Sequence, residues 1–169
     1  CAGGIIITCY AIKKNDLPLV TSFENPLQIP AYQYSDEVLT NNELLKTPNQ
    51  ASPIFARAKY IASSDQRLLF ISGTASIRGE KTLANGNIEE QTQITLDNIN
   101  ELLDICRNYE KKILHKRTDI KLIYLRNYVK HQEYTKLVED ICRTMYPEVP
   151  QITVISDICR EELLVEIEA

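Results

Sequence analysis

Apolar residues recur along this chain with two different spacings, and the switches between them lay out its elements. Gly4 to Ile12 is a nearly uninterrupted apolar run ended by Lys13-Lys14-Asn15-Asp16 and Pro18, and it reads as a strand. From Pro26 to Pro53 no period holds, and only Asp36 to Leu45 suggests a helical turn. A connection of that length often carries function. Two strands follow, Ile54 to Ala62 and Arg67 to Ser76, joined by a tight turn at Ser63-Ser64-Asp65-Gln66. Because side chains alternate faces along a strand, Arg57 and Lys59 fall on the side of Phe55 and Ile61. Arg78 to Asn87, with Gly79 and Gly86, reads as a polar loop.

The spacing then changes to that of a helix. Asn87 can cap it, and Glu90 three residues on can complete a capping box. Thr92, Leu96, Ile99, Leu103 and Cys106 recur at steps of three and four and form one apolar stripe. Ile120 to Leu125 is apolar enough for a central strand. A second helix is expected over Gln132 to Tyr146, with Tyr134, Leu137, Val138, Ile141 and Met145 on one side and Pro147 as its stop. Ile152 to Ile158 and Leu163 to Glu168 read as the last strands. The order from Ile54 is β-β-α-β-α-β-β, an α+β fold with a mixed sheet and two helices on one face, preceded by an N-terminal strand and a long irregular segment. The boundary is placed between residues 1–53 and 54–169. The uncovered sheet face calls for a second copy or another domain.

Composition narrows the class. The 169 residues, 44% hydrophobic and 25% charged, are those of a globular domain able to bury a core without disulfides or metals. A net charge of -4 argues against a nucleic-acid surface. The five cysteines, at 1, 9, 106, 142 and 159, are scattered, and the two histidines, His115 and His131, stand in no zinc spacing; no metal or cofactor is expected. Cys106 and Cys142 fall on the helical stripes and read as core. Reduced thiols and the absence of a 20-residue apolar run point to a cytoplasmic protein away from membranes. Cys1 opens the chain where methionine would stand, so upstream residues are expected to be missing.

The last strand carries the candidate chemistry. Leu163, Val165 and Ile167 alternate with Glu166 and Glu168, which puts two carboxyls on one face. Solvated acids on an edge strand are the ordinary reading. An acid lining a dry pocket is the alternative, because desolvation raises its pKa and lets it donate a proton near neutral pH.

The element order, with Leu69-Phe70-Ile71-Ser72-Gly73-Thr74-Ala75-Ser76, Glu89-Glu90-Gln91-Thr92 and Leu164-Val165-Glu166-Ile167-Glu168, resembles the RidA/YjgF superfamily over Ile54 to Ala169. That resemblance implies a chorismate-mutase-like fold, trimeric packing, and ligand pockets between subunits. Asn25 to Tyr34, Phe55-Ala56-Arg57-Ala58, Ser72 to Ile77 and Cys159 to Glu168 resemble, more closely, the C-terminal catalytic half of the chorismatases, which cleave the enolpyruvyl ether of chorismate and release pyruvate. The resemblance implies that Glu166 protonates the enol ether carbon. It likewise implies that Arg57 binds a substrate carboxylate, that Tyr34 contacts substrate, and that Gly73-Thr74-Ala75 let the backbone approach its ring. Cys159 stands where chorismatases that make 3-hydroxybenzoate carry a cysteine, and is counted with Glu166 as catalytic. Without that resemblance Cys159 reads as an inert thiol and Arg57 as a surface cation. RidA enzymes, which hydrolyse enamines and imines, hold substrate with an arginine where this chain has Gln151, and glutamine cannot form that charged fork. A non-catalytic module that binds a small carboxylate is the third expectation.

Overall fold

The computed structural model describes residues 19–35, 38, 53–64, 66–115 and 119–169. The strand expected at Gly4 to Ile12 lies outside them, as does nearly all of the turn at Asp36 to Leu45. Strand β1 (Leu19–Phe23) pairs antiparallel with β2 (Ala58–Ala62), and β2 with β3 (Arg67–Ile71). The strand expected over Arg67 to Ser76 is interrupted at Ser72-Gly73 and resumes as β4 (Thr74–Ala75). At the break, the Ser72 amide donates to the Arg57 carbonyl at 3.0 Å and its hydroxyl to the Ala56 carbonyl at 2.8 Å. The region read as a polar loop contains a small hairpin, β5 (Ile77–Arg78) with β6 (Lys81–Thr82), turned by Gly79 at φ 58°.

The long helix α1 (Ile88–Leu114) begins as expected. The Asn87 side chain accepts from the Glu90 amide, and all five stripe residues are buried. Helix α2 (Thr135–Met145) follows a short 3-10 turn at Gln132–Tyr134 and buries Val138 and Cys142, while Leu137 stays exposed. It is the crossover that a parallel pair requires, linking β7 (Leu125–Val129) to β8 (Gln151–Ile155). The last strand, β9 (Val165–Glu168), runs antiparallel between β4 and β7. Reciprocal backbone bonds between Ile71 and Ala169, 2.7 and 3.2 Å, join the three-stranded and four-stranded sheets. Both helices contribute to the main hydrophobic core on the inner face, with Leu96, Ile99, Leu102, Val138 and Cys142 packed with Leu125, Val165 and Ile167.

One strand is displaced from its expected place. Ile120 to Tyr124 belongs to no strand, and β7 takes Leu125–Val129 instead. The sequence hides this because β7 buries a polar residue. The Asn127 amide donates to Gln151 Oε1 at 3.0 Å and lies 3.4 Å from the Thr153 hydroxyl, while the Cys142 thiol donates to Asn127 Oδ1 at 3.8 Å. With those partners Asn127 sits inward like its apolar neighbours. No helix of the described residues is long and apolar enough to cross a membrane.

Candidate active site

The alternation on β9 is realised. Val165 and Ile167 are fully buried in the core, and Glu166 and Glu168 stand on the opposite face. Glu166 is opposite Ala75 on β4 and Tyr128 on β7. Its carboxyl lines a cavity of about 320 Å³ whose walls include buried Ala75, Ile77 and Leu163. No hydrogen bond or ion pair reaches that carboxyl among the described residues. Burial pushes the Glu166 carboxyl above the usual carboxylate range, the charge of Glu168 adds to the effect, and Arg57 opposes it.

Gly73 explains how the carboxyl fits. A Cβ at this position would collide with Glu166 Oε1 and stand 3.2 Å from its Cγ. The glycine therefore makes room for the acid itself, where the sequence suggested room for a substrate ring. Thr74 is buried, and its hydroxyl donates to the Ser72 carbonyl at 2.8 Å, so it faces away from the cavity.

Arg57 is buried just before β2 and lines the same cavity. Its Nη2 donates to the Ile29 carbonyl at 3.2 Å and to the Tyr34 hydroxyl at 2.5 Å. The guanidinium carbon lies 5.1 Å from the Phe55 ring centroid and 5.8 Å from that of Tyr34. Tyr34 ends a 3-10 turn at Ala31–Gln33. The next residue, Ser35, donates its amide and hydroxyl to the Glu80 carboxylate at 2.8 and 2.9 Å, which fastens this segment to the β5–β6 hairpin. Cys159 lines the cavity at an exposed position. Although the residue as a whole is exposed, desolvation of its thiol, and then the charge of Glu166, raise the thiol above its usual pKa.

The structure thus brings Tyr34, Arg57, Gly73, Ala75, Cys159 and Glu166 to one cavity and leaves Thr74 behind it. Sequence reasoning passed over several residues that shape it. Gln91, fully buried on α1, donates to the Glu162 carbonyl and accepts from the Leu164 amide, both at 2.8 Å, and so holds the entry to β9. Asn98, two turns on, donates to the carbonyls of Ala75 and Ile77 at 3.0 and 3.2 Å and accepts from Arg78. Amides at positions that fall beside the apolar stripe of the helix were the available signal. Glu24 is also close enough to Arg57 to feel its charge. Burial raises the Glu24 carboxyl and Arg57 opposes the rise. Arg160 approaches Tyr34 from the segment before β9, its guanidinium carbon 5.0 Å from the ring centroid. Among the described residues no three of His, Cys, Asp and Glu converge as metal ligands would.

Comparison with known proteins gives the same outline. No family model matches the chain. A 3-hydroxybenzoate synthase of Streptomyces hygroscopicus is 34% identical over 153 residues, covering 86% of this chain and 41% of that protein. A solved chorismatase structure superposes with a TM-score of 0.72 at 27% identity, over 89% of this chain and 43% of the other. YyfA of Yersinia pestis, a Rid-family protein, superposes with a TM-score of 0.51 at 24% identity, covering 73% and 92% of the two chains, and shows likeness of fold. The chain spans less than half the length of the curated relatives it matches.

Proposed function

This chain is a homologue of the chorismatases with a RidA/YjgF-type fold, and from that premise we propose that its cavity serves cleavage of the enolpyruvyl ether of chorismate. The products are pyruvate and a dihydroxycyclohexadiene carboxylate or, where the ring then loses its second hydroxyl as water and becomes aromatic, a hydroxybenzoate. Glu166 is the general acid. It gives its proton to the terminal CH₂ of the enol ether, and the ether carbon becomes an oxocarbenium ion. Water adds to that carbon, the hemiketal returns a proton, and its collapse breaks the bond to the ring oxygen and frees pyruvate. Protonating carbon needs an acid still protonated near neutral pH, which an unpaired carboxyl on an apolar wall supplies. Arg57 holds a substrate carboxylate, and the Tyr34 hydroxyl fixes that guanidinium. Cys159, kept as a thiol, shapes the wall beside the acid.

The observation that carries this reading is the Glu166 carboxyl: its pKa raised by burial, without a hydrogen bond or ion pair among the described residues, and in one cavity with Arg57. The RidA-type deaminase reading has less support. Gln151 is engaged within the fold, donating to the Glu139 carbonyl at 3.1 Å and accepting from Asn127. Residues 54–169 make the RidA-like unit, to which the 1–53 segment adds β1 and Tyr34. Val20, Leu68 and Ile152 leave apolar area exposed on the outer sheet face, which suits packing in a homotrimer or against an upstream domain. A reducing, cytoplasmic setting suits the free thiols of Cys106 and Cys142. The test is pyruvate release from chorismate by the intact protein, followed with a coupled dehydrogenase. Release is expected. Chorismate binding without release would leave a carboxylate-binding module instead.

A further inference from the structure

The two sheets meet at one residue pair and then part. Ile71 and Ala169 exchange both backbone bonds, at 2.7 and 3.2 Å. Past that pair, β3 runs on toward Arg67 as the edge of its sheet. On the other side, the chain leads back from Arg126, opposite Glu168, into Ile120 to Tyr124, which belongs to no strand. A cavity of about 660 Å³ lies between these flanks, lined by Arg67 to Ile71, by Asp119 to Tyr124 and by Ala169.

The β2–β3 ladder fixes what β3 offers to that cavity. The Ser72 amide donates to the Arg57 carbonyl at 3.0 Å and the Ser63 amide to the Gln66 carbonyl at 2.8 Å, so Phe70 and Leu68 turn their backbone groups toward β2. Arg67, Leu69 and Ile71 turn theirs the other way. Ile71 meets Ala169, but no backbone partner meets Leu69 or Arg67 among the described residues. The side chains of the wall are satisfied by contrast. Buried Glu110 accepts from the Tyr60 hydroxyl at 2.7 Å and lies 3.6 Å from Arg67 Nε. Among the described residues, no side chain of this cavity has a buried polar atom without a partner. Leu69, Leu103, Cys106, Ile120 and Leu122 make much of the remaining wall apolar. Unpaired backbone groups beside an apolar wall match an extended peptide, which brings donors and acceptors along its edge, better than a charged small molecule.

We propose that this slot is a seat for one β-strand, an extended segment joined to β9 at Ala169 that runs antiparallel to β3 with apolar side chains at alternate positions. The Ile71–Ala169 pair sets the register: the second residue of the segment falls opposite Leu69 and the fourth opposite Arg67. Ile167 and Ala169 face inward and are buried, so the second and fourth residues also face inward and are the apolar ones. The first and third share the outer face with Glu168. A filled seat lengthens the ladder that holds β9, where a slip of one residue would turn Glu166 into the core. The seat goes beyond the function proposed above and does not depend on it.

The test gives the intact protein a short tail after Ala169, Thr-Val-Thr-Val-Thr, and compares it with the parent and with a tail carrying aspartate in place of both valines. The valine tail should slow amide hydrogen exchange at Leu69 and Arg67 about 10-fold or more, while Leu68 and Phe70, which face β2, change less. It should also raise the melting temperature. The aspartate tail should do neither, since its carboxylates would enter an apolar wall beside Glu110. Circular dichroism checks that each protein folds, and a Ser-Gly-Ser-Gly-Ser tail takes over as control should the aspartate tail prevent folding. Parent-like exchange at Leu69 and Arg67 in the valine-tailed protein, or equal slowing by the valine and control tails, overturns the inference. So does equal slowing by the valine peptide added free at the protein's own concentration, because the seat would then need no attachment to β9. No readout involves chorismate. A failed seat therefore leaves the proposed function standing, and absent pyruvate release leaves the seat standing.

Discussion

Two residues apart on the outer face of β9, Glu168 and Glu166 each have an arginine and a tyrosine for neighbours, and the two groups are wired in opposite ways. Around Glu168 the bonds converge on the acid: Arg126 Nη1 and the Tyr128 hydroxyl both reach its Oε2 at 3.0 Å. In the cavity the arginine and tyrosine bond each other, Arg57 to Tyr34 at 2.5 Å, and the acid is left out. Glu166 then has apolar walls on one side and the charge of Glu168 on the other, and both favour its protonated form. Closely similar residue sets therefore give an ion-paired strut in one place and, in the other, a carboxyl without a partner among the described residues and with a raised pKa. The difference lies in which groups bond each other, and Gly73 permits it by leaving the space that the Glu166 carboxyl occupies.

Glu166→Gln should break the contrast most severely. Removing a general acid is expected to lower pyruvate release about 10²- to 10⁴-fold, with the circular dichroism of the parent retained. The same variant should be the more heat-stable protein at alkaline pH. A carboxyl whose folded pKa is raised contributes its stability below the ordinary carboxylate range and loses it as pH rises through the raised value. Glutamine never incurs that loss, so melting curves of parent and variant should diverge with rising pH.

Gly73→Ala moves the acid while keeping it. A displacement of about 1 Å at a reacting group can cost about 10²-fold, so kcat should fall toward that extent while pyruvate remains the product. Gln91→Leu acts one layer further back. It leaves the Leu164 amide and the Glu162 carbonyl without their partner and should destabilise the fold by about 1–3 kcal/mol in urea unfolding, with a smaller loss of rate. Glu168→Gln is the mildest change. Without that anion the Glu166 carboxyl comes down toward its ordinary range, so the alkaline decline of the pH–rate profile should move to lower pH with the maximal rate nearly unchanged. A profile that stays in place would separate the two acids and undo the comparison.

Local patterns carried much of the fold into the sequence. The cap at Asn87, the stripe along α1 and the alternation of β9 depend on residues within a few positions of each other, and all three appear as read. What eluded the sequence depends on partners far along the chain. β7 was misplaced because Asn127 is made acceptable to the core by Gln151 and Thr153, 24 and 26 residues on. Arg160 had no visible role because its anchor is Glu80, 80 residues earlier. Thr74 was grouped with Gly73 and Ala75, but the break at Ser72-Gly73 fixes which side chains face the cavity. Arg57, Tyr34 and Cys159 came from family resemblance, since spacing does not join a loop residue, a strand edge and the C-terminal segment.

The central claim is that Glu166 keeps its proton where an ordinary glutamate has lost it. A carbon-13 NMR titration of the glutamate carboxyls in the intact protein, with the Glu166 signal assigned by its loss in Glu166→Gln, measures this directly. The account predicts a midpoint clearly above the unperturbed glutamate value of about 4.3, moving down in Glu168→Gln. A midpoint at or below that value, insensitive to Glu168, would contradict it.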